Sequence, residues 1–328
     1  MLLLALWAGF AFGYVPYRLA LAVESRRDYR DRENGDLTPD SFGLEYESVS
    51  FSAADGVELS GWWVPAAQNR GTVVLIHGLN RRRIEMIRKA PFLHGAGWNA
   101  LLFDLRRHGE SGGEVRGFGF YEKRDAEAAV EWARRRSSRP VVLWGVSLGG
   151  ATAALAAAED RHIAGLVCDS SFRSLPDTLR HHVGLFRRFH WSLNLVPSWP
   201  TSEIALFWIG RRGGFDPASV DVEAAAGMLG SRPCLFVCNA GDRRMPKEIA
   251  FDLQAAAGPQ AQVLVVPGDS HGGAYREGTA PYERAVRNLL DQVLAAEEAM
   301  APATAAASTS GGNAVSNGAV RASVEAGS

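Results

Sequence analysis

Cysteine is scarce in this chain: three residues in 328, at Cys168, Cys234 and Cys238. All three lie in apolar, strand-like runs, which excludes a disulfide framework and reads as buried free thiols. No Cys/His spacing suggests a zinc site, and nothing implies a metal or a cofactor. A charge excess of either sign is also missing. The formal net charge of −1 gives no global attraction to nucleic acid. Arginine clusters only locally, at 81–83, 106–107, 134–136, 187–188 and 211–212, and such runs read as solvated faces. There is no internal repeat. What is plentiful is apolar residue, 47% against 22% charged, enough for one large α/β core or two small ones.

Charge is absent altogether from Met1 to Tyr17, near the short limit for a membrane-spanning helix. Continuing to Val23 lengthens the run, with Arg18 able to snorkel. Residues 1–23 therefore read as an uncleaved membrane anchor. A cleaved signal peptide is the competing reading: Ala20-Leu21-Ala22 fits a cleavage site, but the basic region before the apolar core is missing. Arg18, Arg26, Arg27, Arg30 and Arg32 follow the run and nothing basic precedes it. For an anchor, that asymmetry predicts a cytoplasmic body; for a signal peptide, an exported one.

Residues 24–42 read as a polar linker. Alternation at 44–51, the Asp55-Gly56 turn and the run 57–64 predict a β-hairpin. Continuous β-branched and apolar runs recur at 72–76, 99–103, 141–144, 163–168, 234–238 and 262–266, with helical stretches between most of them. That alternation predicts an α/β fold with a parallel sheet. The interval 174–231 holds scattered aromatics (Phe186, Phe189, Trp191, Trp199, Phe207, Trp208) without a clear strand, which predicts a lid or cap insertion. A domain over 43–298 and a disordered Ala/Ser/Thr/Gly tail over 299–328 complete the division.

Gly145-Val146-Ser147-Leu148-Gly149 follows the strand-like run Val141–Trp144 and precedes a helical Ala-rich stretch. A strand, a sharp turn holding serine and a helix form the setting of a nucleophile elbow. A serine hydroxyl needs a base, and the base needs an orienting carboxylate. His271 follows the last predicted strand and Asp242 follows the one before it. The chain order Ser147, Asp242, His271 is the one associated with such elbows. Asp169, at the end of the run 163–168, is a rival for the acid. The backbone N–H groups of Leu148 and of Leu79, in the loop His77-Gly78-Leu79-Asn80, are the candidate oxyanion donors. His77 and His108 read as structural histidines holding loops.

Together with Phe103-Asp104-Leu105-Arg106-Arg107-His108-Gly109-Glu110-Ser111 and Gly241-Asp242-Arg243-Arg244-Met245-Pro246, these motifs resemble the α/β-hydrolase superfamily across about residues 43–295. Within it the chain is similar to the short-lid, membrane-anchored, serine aminopeptidase-like group. The resemblance implies a mostly parallel eight-stranded sheet flanked by helices, with a helical lid, and hydrolysis of an ester, thioester or amide. The expectation is a serine hydrolase of a small-molecule or lipid-like acyl ester or thioester, acting through an acyl-enzyme. Alternatives are a serine aminopeptidase-type peptidase or amidase and, in another class, a catalytically silent membrane-anchored binding protein. Acyl length, leaving group and oligomeric state are left open.

Overall fold

Successive side chains of a strand point to opposite faces of its sheet, and in this protein both faces lead into hydrophobic packing. The computed structural model describes residues 1–24, 34–189 and 196–300. Its strands are β1 (Glu47–Ser52), β2 (Glu58–Val64), β3 (Thr72–Ile76), β4 (Asn99–Phe103), β5 (Val141–Val146), β6 (Ile163–Asp169), β7 (Cys234–Asn239) and β8 (Gln262–Val266). In β3, Val74 and Ile76 join one core with Leu101, Phe103, Leu143 and Phe236. Val73 and Leu75 join the other with Leu102, Trp144 and Val237. A strand covered on both faces has no polar side to display, hence the unbroken apolar runs.

The strands form one sheet in the order β1-β2-β4-β3-β5-β6-β7-β8. β1 and β2 form the antiparallel hairpin, and β2 runs antiparallel to β4. From β4 through β8 every neighbouring pair is parallel. The carboxyl ends of β3 to β8 therefore open on one side, where the loops carrying chemistry converge.

The helices, in chain order, are α1 (Leu2–Ala8), α2 (Val15–Glu24), α3 (Ala90–Gly95), α4 (Glu122–Arg136), α5 (Leu148–Glu159), α6 (Leu175–Phe189), α7 (Ser198–Gly213), α8 (Val222–Gly227), α9 (Glu248–Ala257), α10 (Ala274–Glu277) and α11 (Thr279–Met300). Buried residues of α3 and α11 fill the core on one face. Those of α4, α5, α8 and α9 fill the other. α1 and α2 are continuous through a wider π-helical turn at Gly9–Tyr14, where the Val15 N–H reaches back five residues to the Phe10 carbonyl. Pro16 lies one residue beyond, and a proline ring inside a helix crowds the carbonyl four residues earlier. The wider turn relieves that clash. Leu2–Leu21 is long and apolar enough to be a membrane anchor or a signal sequence, with an 18-residue stretch of mean hydropathy 1.3 that is 11% buried.

The insertion is smaller than its sequence interval. Ser174 pairs with Asp221, and the Val222 N–H donates to the Arg173 carbonyl at 2.8 Å. The excursion closes at that neck. Beyond it α8 buries Val222, Ala225 and Ala226 in the sheet-covering layer. The end of the expected linker is also packed: Pro39 is buried, and Leu37 and Phe42 rest on the core. Linker residues 25–33, the tail beyond 300, and His190 and Trp191 of the insertion lie outside the described residues.

Two arginines from the runs read as solvated faces are buried instead. Arg83 forms an ion pair with Asp104 at 3.2 Å and a second with Glu110, and its guanidinium lies 4.5 Å over the Trp62 ring. Arg106 grips the fully buried Asp125 through Nε and Nη2, at 2.9 and 2.7 Å, and reaches Asp55 at 2.8 Å. The acids lie far from the arginines in sequence, so local composition carries no sign of them. Removing one member of a buried pair strands the other's charge. Asp125→Ala should lower unfolding free energy by about 3–5 kcal/mol in urea titrations; a loss below about 1 kcal/mol would contradict the pairing.

Candidate active site

The turn between β5 and α5 is shaped by close backbone approach. Ser147 sits at φ 55°, ψ −115°, an unfavourable region for a residue with a side chain, which costs on the order of 1–3 kcal/mol. A β-carbon on Gly145 would collide with the Gly149 carbonyl, and one on Gly149 would collide with the carbonyls of Ile76 and His77. Only glycine fits either flank. Hydrogen bonds hold the strained residue: its N–H donates to the Asp169 carbonyl at 2.8 Å, and its carbonyl accepts from Ala151 at 3.1 Å.

The structure brings three of the sequence-derived site residues together. Ser147 Oγ lies 2.9 Å from His271 Nε2, and Asp242 Oδ2 lies 2.8 Å from His271 Nδ1. The carboxylate accepts from Nδ1–H, which leaves Nε2 as the acceptor for the serine hydroxyl. The Asp242 Oδ1 atom accepts from the N–H groups of Arg244 and Met245, at 2.8 and 3.1 Å. Burial opposes ionisation of this carboxyl. The hydrogen bond and charge of His271 and the two backbone donors outweigh it and hold the pKa below the ordinary aspartate value.

Asp169, the rival acid, is placed elsewhere. Its Oδ2 accepts from Tyr282 Oη at 2.9 Å and its Oδ1 from Ser170 Oγ at 2.8 Å. Tyr282 in turn accepts from Trp144 Nε1 at 3.0 Å. Burial pushes this carboxyl's pKa up, against the Ser170 and Tyr282 hydrogen bonds and the nearby charges of Lys89 and His271.

Leu148 directly follows the serine, and Gly78, the residue before Leu79, approaches it. Leu148 opens α5, where first-turn N–H groups have no intrahelical acceptor. Gly78, just before Leu79, lies so close that a β-carbon on it would be 3.5 Å from Ser147 Cβ. The Gly78 N–H donates to Glu85 Oε2 at 2.7 Å. Glu85 was not singled out from the sequence. It lies in an arginine-rich turn whose composition resembles any surface, and only the fold aims its carboxylate at the loop.

Two neutral histidines fix the same loop. His77 is fully buried; its Nδ1 meets the Gly78 carbonyl at 2.8 Å and its Nε2 accepts from the Leu105 N–H at 3.0 Å. His108 contacts the Arg106 carbonyl at 2.8 Å and accepts from the Asn80 N–H at 3.2 Å. Burial pushes the pKa of His77 down to about 4, with the charges of Arg116 and Arg83 assisting against the Gly78 hydrogen bond. Burial likewise takes His108 down to about 3, with His77 and Arg116 assisting. In the insertion, His181 is exposed and contacts the Arg243 carbonyl at 2.9 Å. That contact ties α6 to the loop of Asp242.

A mostly parallel eight-stranded sheet with a serine elbow after β5 and a histidine and an aspartate on later loops defines an α/β-hydrolase enzyme. Comparison with known proteins agrees. The family described as serine aminopeptidase, S33, matches residues 67–217. An uncharacterized protein of Bacillus subtilis, YqkD, is 27% identical over 300 residues, covering 87% of this chain and 94% of its own. The esterase Pf2001 of Pyrococcus furiosus superposes with a TM-score of 0.65 at 25% identity, covering 79% of this chain and 95% of the esterase. Est1E of Butyrivibrio proteoclasticus, solved with bound ferulic acid, shares the fold with a TM-score of 0.58 at 20% identity over 75% of this chain and all of its own. The chain has the α/β-hydrolase fold, and the family match and the esterase likeness support a serine α/β hydrolase.

The buried histidines carry a pH signature. Their folded pKa values lie below the unfolded value near 6.5, so as pH falls the unfolded state takes up protons first and stability drops. For His77 the window runs from about 6.5 to 4, worth about 3 kcal/mol at 1.36 kcal/mol per unit. Denaturant titrations across that window should show a shallower acid loss in His77→Gln than in the wild type. Equal slopes would contradict a buried neutral His77.

Proposed function

We propose that the protein hydrolyses carboxylic esters or thioesters of small-molecule or lipid-like acyl groups through an acyl-enzyme. The observation that carries this is the His271 ring, hydrogen-bonded at once to Ser147 Oγ and Asp242 Oδ2 at 2.9 and 2.8 Å. In the proposed reaction His271 Nε2 takes the hydroxyl proton as Ser147 Oγ bonds to the substrate carbonyl carbon. The negative oxygen is held by the N–H groups of Leu79 and Leu148, each such donor being worth about 3 kcal/mol. The carbonyl re-forms as the bond to the leaving group breaks, and His271 returns the proton to that group. Water, deprotonated by the same nitrogen, attacks the acyl-serine, and the acid departs with Ser147 restored. Asp242 keeps Nδ1 protonated and offsets the positive charge on the ring.

The esterase likeness of the fold supports ester over amide cleavage. The serine aminopeptidase match of residues 67–217 favours a second reading, a peptidase or amidase. A panel of p-nitrophenyl acyl esters set against aminoacyl p-nitroanilides separates the two. The exposed apolar helix at the amino terminus supports membrane association, and the arginines that follow it support a cytoplasmic catalytic domain.

Ser147→Ala should lose fluorophosphonate labelling and reduce kcat for ester hydrolysis by on the order of 10⁶-fold. Labelling of the variant at the wild-type level would overturn the assignment.

A further inference from the structure

The N-terminal helix does not stand apart from the body. Its π-helical turn and α2 pack along α7 of the insertion, with Ala11 of the turn and Pro16 and Ala20 of α2 buried. The Tyr17 ring meets the Trp208 ring edge-on at 5.3 Å, and the Arg212 guanidinium lies 6.0 Å from the Tyr17 centroid. On the outside, Trp199 is 75% exposed and Phe207 61%. Phe207, Trp208, Arg211 and Arg212 line an open groove of about 540 Å³. Beside them Tyr14 is exposed, and Arg18 donates to its hydroxyl at 3.2 Å. The one acid within α7, Glu203, is held by Arg180 at 2.8 Å, and Arg212 also borders a second groove lined by Glu114. Beyond this band toward residue 1 lie Leu2, Leu3, Leu4, Leu6 and Phe10, all exposed and uncharged.

An apolar segment ending in a band of tyrosine, tryptophan and arginine has the layering of a bilayer, hydrocarbon first and headgroups next. Thirteen residues precede Tyr14, about 20 Å of helix at 1.5 Å per residue, against a hydrocarbon core of about 30 Å. Sinking the helix far enough to immerse that segment carries Tyr17 to the headgroups. Trp208 touches Tyr17, so α7 arrives with it.

We propose that α7 docks on the surface of an anionic lipid bilayer beside the N-terminal helix. Phe207 and Trp208 then enter the headgroup boundary, and Arg211 and Arg212 meet lipid phosphates. The inference rests on the membrane-association reading above and extends it from the anchor to the insertion. α6 touches the loop of Asp242, so docking sets the insertion between the bilayer and the site. An acyl substrate would then be drawn from lipid rather than from water.

The test uses the full chain with a single added cysteine carrying an environment-sensitive fluorophore at Phe207→Cys, Leu6→Cys or Glu131→Cys. The native thiols are buried and stay unlabelled. With vesicles of phosphatidylcholine and phosphatidylglycerol at 3:1, lipid-borne nitroxide should quench positions 6 and 207, each by about half or more, and spare Glu131 on the far helix α4. Arg211→Gln with Arg212→Gln should weaken the docking equilibrium read at 207 by about thirtyfold, at about 1 kcal/mol per arginine, and leave position 6 unchanged. Quenching at 6 alone overturns the docking and leaves the anchor. Quenching at neither overturns both. A shift at 207 that needs no lipid and grows with protein concentration means a second copy covers the face, and it also overturns the proposal.

Discussion

Backbone crowding at the β5–α5 turn is the constraint on which the site depends. A β-carbon at Gly149 would meet the carbonyls that end β3, and one at Gly145 would meet the Gly149 carbonyl. This forces Ser147 to φ 55° and turns its side chain toward the loops after β7 and β8. The strain of that conformation, about 1–3 kcal/mol, persists because the surroundings over-determine it. The Ser147 amide is anchored on β6, and β5, buried throughout, lies between β3 and β6. The cost of the turn is thus spread over a core that the whole domain builds.

Around this turn, buried and half-buried polar groups hold the loops in place. His77 and His108 work as neutral hydrogen-bonding rings, and Glu85 ties down the Gly78 N–H. Arg106 with Asp125 and Arg83 with Asp104 fix the segment after β4 on which those rings rest. Satisfied buried networks of this kind specify one arrangement, because each unpaired group would be costly. The two candidate acids divide accordingly. Asp169 is committed to Tyr282 and Ser170 in the floor of the site, whereas Asp242 is free to face His271.

Much of this was legible in the sequence because it is written in local patterns. Buried parallel strands are apolar on both faces and read as unbroken runs. The elbow is glycine-dependent and short. Asp242 and His271 follow strands whose order places them on one side. The burial of Arg83 and Arg106 was not legible, since their acids stand at 104 and 125 and the pairing exists only once β4 and α4 are packed. Glu85 was hidden for the same reason. The α8 segment, Val-Glu-Ala-Ala-Ala-Gly, has no strand character and resembles its neighbours in the insertion, although it buries Val222 and two alanines in the core.

The central claim is that Asp242, through His271, holds the proposed base ready for Ser147. It is tested most directly by comparing kcat/KM for one ester in Asp242→Asn and Asp169→Asn, with folding checked by circular dichroism. An amide at 242 offers Nδ1 the wrong partner and should lower the rate by about 10⁴-fold. At 169 the effect should be much smaller, since that carboxyl bonds Tyr282 and Ser170 and not the ring. A larger loss from Asp169→Asn would contradict the account and move the orienting role to β6.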